Sequence, residues 1–110
     1  MRTMSLVRVC GLDDVPVGDA RRFQVGDRLV AVANLGDEGF RAIDAVCSHA
    51  YYFLDEGEVD VDDETIECPK HGSTFDLNTG QPRTLPATVP VEIYAVKVEG
   101  DDVLIEVNDG

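Results

Sequence analysis

The sequence contains no tryptophan, only 6% aromatic residues, two histidines, three cysteines and a marked shortage of positive charge. Nine lysines and arginines face 22 aspartates and glutamates, leaving a formal net charge of −13. Nucleic acid is therefore not expected as a partner, because such binding rests on Lys and Arg neutralising phosphates. No stretch approaches the ~18 consecutive apolar residues of a membrane span. Residues 1–10 lack the apolar core and small-residue cleavage site of a secretory signal. The chain is accordingly expected to be cytoplasmic, with no membrane association. Three cysteines cannot all pair, which suits a reducing compartment. No glycine-rich nucleotide motif is present, so binding of a flavin or nicotinamide is not expected.

What is present suits one small globular unit. An apolar fraction of 44% in 110 residues can bury one modest core, and residues 1–110 are expected to form a single domain. The hydrophobic period is close to two in most readable segments, and no long stretch carries a helical period. Strands are expected at 6–10, 22–25, 28–33, 40–44, 65–67, 91–98 and 103–107, each bounded by Gly, Pro, Asp or Asn. Val25-Gly26-Asp27-Arg28 and Glu99-Gly100-Asp101-Asp102 have the composition of tight hairpin turns. Short, regularly spaced strands point to an all-β barrel or sandwich.

Residues 46–90 break this alternation. They hold both histidines, two of the three cysteines and four of the five prolines, and long irregular insertions of this kind are commonly functional. Residues 1–45 and 91–110 are expected to form base sheets, with 46–90 mounted on them as a lobe. Within it, Cys47-Ser48-His49 is followed after eighteen residues by Cys68-Pro69-Lys70-His71. Each half offers a thiolate and an imidazole one or two residues apart, so that two side chains of one loop can converge on a compact metal centre. Two centres fit a Cys₂His₂ donor set: a single zinc, or a [2Fe–2S] cluster. Structural zinc sites usually group cysteines with cysteines and histidines with histidines, whereas here each pair mixes the two.

These motifs resemble the cluster-binding loops of Rieske-type ferredoxins, and the resemblance extends over nearly the whole chain. The run from Gly72 to Gly80 is similar to the segment after the second ligand pair in that family, and Leu85-Pro86-Ala87-Thr88-Val89-Pro90 to the proline-containing loop over the cluster. The resemblance implies an antiparallel base carrying a small cluster-binding lobe. It implies that Cys47 and Cys68 hold the buried iron, with His49 and His71 on the outer one. Membrane-anchored relatives carry a disulfide between the cluster loops. The corresponding positions here are Tyr52 and Lys70, so the chain is more similar to soluble bacterial ferredoxins, either those of ring-hydroxylating dioxygenase systems or the free-standing type associated with cluster assembly.

The implied function is one-electron transfer from a flavin-dependent ferredoxin reductase to a terminal oxygenase or other redox acceptor, carried out by a monomer. With both histidines used as cluster ligands, a two-histidine, one-carboxylate iron site is impossible within this chain, and no catalytic role is expected. The competing readings are a structural zinc or interaction module, and a regulatory or electron-transfer subunit of a larger reductase. Of the remaining residues, Cys10 is expected in the core, Tyr51, Tyr52 and Phe53 beneath the first loop, and Ser73 as a donor to cluster sulfur. Lys70 is expected to meet a partner or offset cluster charge. Eight of the thirteen residues at 55–67 are acidic, suiting either solubility or steering toward a basic surface.

Overall fold

A computed structural model describes residues 4–48, 52–70, 72–85 and 87–108. Among these, every regular element is a β-strand or a single turn of 3-10 helix, and every paired strand runs antiparallel. The all-β, antiparallel expectation is met. Three sheets form. One contains β1 (Met4–Gly11), β10 (Asp102–Asn108) and β9 (Val96–Glu99), with β10 in the middle. The second runs in the order β2 (Ala20–Val25), β3 (Arg28–Asn34), β4 (Phe40–Asp44) and β8 (Ile93–Tyr94). The third is small: β5 (Val59–Asp60), β6 (Thr65–Glu67) and β7 (Thr74–Asp76).

Both tight turns lie where their composition places them. Val25 pairs with Arg28 and Glu99 with Asp102, and each turn has glycine at its first central position, at φ 62 for Gly26 and 59 for Gly100. Glycine adopts that conformation without the Cβ clash other residues meet, and such turns match the twist of the flanking strands.

The four-stranded sheet is the middle layer. Val30, Val32, Ala42 and Tyr94 face one core, shared with Cys10, Val103 and Ile105 of the first sheet. Ala31, Ala33 and Ile43 face a second core, shared with Leu54, Ile66 and Phe75. This explains why β3 is buried without interruption from Val30 to Asn34: successive side chains point to opposite faces, and both faces are covered. Mostly alanine looks toward the small sheet and mostly valine toward the base, so the small sheet packs close.

One expected strand is corrected. Residues 91–98 form two short strands, β8 and β9, separated at Ala95. The chain changes partner there, pairing with β4 before Ala95 and with β10 after it. The alternation continues through the bend, which is why periodicity alone reads one strand.

The small sheet is tied to the middle layer by Glu64. This residue has φ 56, a left-handed conformation that costs a non-glycine residue about 1–2 kcal/mol. Its carbonyl accepts the Leu77 N–H at 2.8 Å, and its carboxylate accepts from Arg41 of β4 and from Asn78, both at 3.2 Å. These bonds hold the turn between β5 and β6 against β4.

A second polar tie lies in the base. The Tyr94 hydroxyl donates to Asp44 at 2.7 Å and accepts from Arg28 at 3.3 Å. Burial, reinforced by Asp44, pushes the phenol up to about 12. A folded value above the ordinary ~10 means that the neutral phenol stabilises the fold fully below pH ~10. That contribution is lost as pH rises toward 12. Tyr94→Phe should therefore be less stable than wild type near neutrality, by about 1 kcal/mol for the lost hydrogen bond, with the gap closing between pH 10 and 12. Denaturant midpoints across that range measure it, and a gap that stays constant contradicts the assignment.

Candidate metal centre

The first cysteine pair member, Cys47, sits on a hairpin. Ala45 donates to Leu29 of β3 at 2.9 Å, and Leu54 donates to Ala45 at 2.7 Å. Val46 bridges Phe53, and Cys47 N–H donates to the Tyr52 carbonyl at 2.9 Å. Residues 45–47 and 52–54 are thus paired arms. Leu54 then opens a 3-10 turn (Leu54–Glu56) and is wholly buried beneath them.

Cys68 occupies the corresponding position on a second hairpin. It follows β6 directly, and Glu67 pairs with Thr74 across the connection to β7. Cys68 N–H donates to the Ser73 carbonyl at 2.7 Å, and Gly72 N–H donates to the Cys68 carbonyl at 3.0 Å. Gly72, at φ 75, provides the tight return.

The two connections meet. The Lys70 ammonium lies 5.2 Å from the Tyr52 ring centroid, joining the second connection to the first. Cys47 and Cys68, 4% and 1% exposed, belong to the same buried core as Phe75 and Leu77. No disulfide links any of the three cysteines. Cys10 lies in the other core, between the first two sheets, where burial pushes its thiol up. His49 and His71 lie outside the described residues, as do Tyr51 and Pro86. Tyr52, expected beneath the loop, is instead 40% exposed, because its ring stands against Lys70 at the surface. Phe53 does pack inward, against the core.

A third segment straps the two hairpins together. Arg83 N–H donates to the Thr74 carbonyl at 2.7 Å, and Thr74 N–H donates to the Thr84 hydroxyl at 2.8 Å. Ala87 N–H donates to the buried Ser73 hydroxyl at 3.1 Å. The Ser48 hydroxyl, between Cys47 and His49 in sequence, donates to the Val89 carbonyl. Each tie joins residues nine or more positions apart, so none leaves a local sequence signal. Leu85 and Val89 remain 78% and 57% exposed on this strap.

The acidic stretch is divided among several tasks. The Asp60 carboxylate accepts the backbone N–H groups of Asp62 and Asp63, both at 3.0 Å, and Glu64 makes the tie to β4. Asp55 is largely buried and ion-paired with Arg22. Glu58, Asp60, Asp63 and Glu67 line an open cleft of about 470 Å³ beside the small sheet.

Two buried cysteines converging from separate hairpins, each one or two residues from a histidine in sequence, fit a centre that takes two thiolates and two imidazoles. Comparison with known proteins identifies the family. Residues 5–95 match the family model of the Rieske [2Fe-2S] domain. The chain is 39% identical over 107 residues to the ferredoxin component of biphenyl 2,3-dioxygenase of Rhodococcus jostii (strain RHA1), covering 97% of both. The ferredoxin of carbazole 1,9a-dioxygenase from Nocardioides aromaticivorans IC177 superposes with a TM-score of 0.87 at 38% identity, over 92% of this chain and 96% of that one. A chain from the complex of reduced oxygenase and oxidized ferredoxin in carbazole 1,9a-dioxygenase gives a TM-score of 0.81 at 37% identity, over 90% and 99%.

The protein is thus an electron-transfer ferredoxin by class. It belongs to the Rieske [2Fe–2S] family and carries that cluster as its cofactor.

Proposed function

We propose that the chain is the ferredoxin component of a ring-hydroxylating dioxygenase system. Residues 46–90 serve as its cluster-carrying lobe, Cys47 and Cys68 bind one iron, and His49 and His71 bind the other. The observation that carries this reading is the meeting of the two hairpins, with Lys70 against Tyr52 and both cysteines in one dry core. When bound, the cluster supplies a one-electron redox couple and no substrate chemistry. The chain's own part is to position and shield. Leu54, Ile66, Phe75 and Leu77 exclude water around the cysteines, and low local polarity is one of the levers on such a centre. Ser73, already accepting from Ala87, keeps its own proton to donate toward a cluster sulfur.

In this reading a flavin-dependent reductase delivers the electron and a terminal oxygenase receives it, both docking at the hairpin tips near His49 and His71. The protein acts as a cytoplasmic monomer and catalyses nothing alone. Protein produced anaerobically with ample iron should contain two irons and two acid-labile sulfides per chain. It should also restore electron flow between a dioxygenase reductase and its oxygenase when their own ferredoxin is withheld. Stoichiometric zinc without sulfide would refute the ligand set, and a loaded protein that transfers no electrons in any such system would refute the assignment to dioxygenases.

A further inference from the structure

The first hairpin is gripped from outside by a residue of the base. Arg22 lies on β2, on the same face as Ala20, whose side chain is part of the core shared with the small sheet. Its guanidinium carbon stands 3.7 Å from the centroid of the Phe53 ring. The same guanidinium is 4.0 Å from the Asp55 carboxylate and 3.8 Å from that of Glu56. Only 32% of its side chain is exposed. Phe53 is the residue bridged to Val46, next to Cys47, and it follows Tyr52, which accepts the Cys47 N–H. The ring that Arg22 covers therefore belongs to the neck of the loop carrying Cys47 and His49.

The carboxylates explain why the cation is needed there. The Asp55 side chain is 11% exposed, and its buried Oδ1 accepts no hydrogen bond among the described residues. A largely desolvated carboxylate with one oxygen lacking a hydrogen bond is costly unless a cation stands beside it. Among the described residues Arg22 is the cation ion-paired with it, and at these separations it acts through charge and ring stacking. A planar guanidinium suits this double task, since it can stack on an aromatic face and still present its edge to an anion. Arg21, the preceding residue, turns the other way and pairs with Asp19.

We infer that Arg22 is a positioning residue for the cluster, clamping the neck of the Cys47–His49 loop to the base sheet through Phe53 and Asp55. This rests on Cys47 and His49 being ligands. Release of the clamp lets the neck open and exposes the first ligand pair to competing chelators, while the second hairpin, fixed by its own pairing and by the strap, is unaffected.

The test measures iron loss from the loaded, oxidised protein to an excess of a strong iron chelator at neutral pH. Arg22→Gln should lose iron about tenfold faster than wild type, equivalent to ~1.4 kcal/mol. Arg22→Lys, which keeps the charge but not the planar stack, should recover only part of the difference, and Arg21→Gln should match wild type. Phe53→Leu should itself accelerate loss, and the Arg22→Gln/Phe53→Leu double variant should be no faster than the faster single variant, since both break one contact. An Arg22→Gln rate within twofold of wild type, or effects of the two substitutions that multiply, would overturn the inference. Failure of wild type to bind iron at all would instead overturn the ligand reading beneath it.

Discussion

Alanine at Cys47 or at Cys68 is expected to yield a colourless protein that retains neither iron nor labile sulfide. Both side chains sit in a core with Leu54, Ile66, Phe75 and Leu77, and an alanine methyl leaves the centre one thiolate short. Removing His49 or His71 should likewise abolish the Rieske signature. Cys10→Ala provides the contrast. That thiol lies in the core on the opposite side of the middle sheet, and its loss should cost about 1 kcal/mol of packing with the cluster unchanged. Iron and sulfide analysis, with the electron paramagnetic resonance of the reduced protein, decides the matter. Two irons retained in a Cys47 or Cys68 variant, or lost in the Cys10 variant, would show that the ligands have been misassigned.

A comparably large effect is expected outside the Cys and His motifs, at Gly80. A Cβ built there would lie 2.1 Å from the Val91 carbonyl oxygen, and the residue has φ +79. Gly80→Ala therefore combines left-handed strain with a backbone collision, and relieving the collision breaks the Val91 N–H bond to the Gly80 carbonyl. Strain of about 1–2 kcal/mol and a lost hydrogen bond of about 1 kcal/mol set a lower bound of about 2 kcal/mol. Gly26→Ala separates the components. Its φ of +62 is similar, but a Cβ there meets nothing within 4 Å, so only the strain remains. Apparent unfolding midpoints of the loaded proteins should fall far more for Gly80→Ala than for Gly26→Ala. Equal losses would mean that residues 80 and 91 move apart at little cost.

The base was legible because its information is local. Glycines at 26 and 100 set two hairpin turns, and β4 occupies the expected residues 40–44. The small sheet was only partly legible, since β5 has two residues and β7 three, too few to display a period. Likewise, β3 shows no alternation of burial because both its faces are covered, a fact that resides in the third dimension. For the site, residue types and spacing were enough to single out Cys47 and Cys68. The grip of Arg22 on Phe53 and the tie of Ser48 to Val89 were hidden, being contacts between residues 31 and 41 positions apart. The acidic run shows the opposite failure. As a string it reads as one undifferentiated charge, yet Asp55, Asp60 and Glu64 each have a separate structural partner.

The pairing of β4 with β8 holds the two ends of the lobe side by side. Ala42 faces Tyr94, Ile43 faces Ile93, and Asp44 N–H reaches the Glu92 carbonyl at 2.9 Å. The two ends of the intervening segment are therefore fastened side by side by base strands that need no metal. Closing a loop of that length costs about 3 kcal/mol in chain entropy, and strand pairing in the base offsets it without using any of the four candidate ligands. Small zinc modules differ, since there the metal itself must drive the chain to fold. Here strands that contain none of the Cys47, His49, Cys68 and His71 motifs bring the two ends of the lobe together.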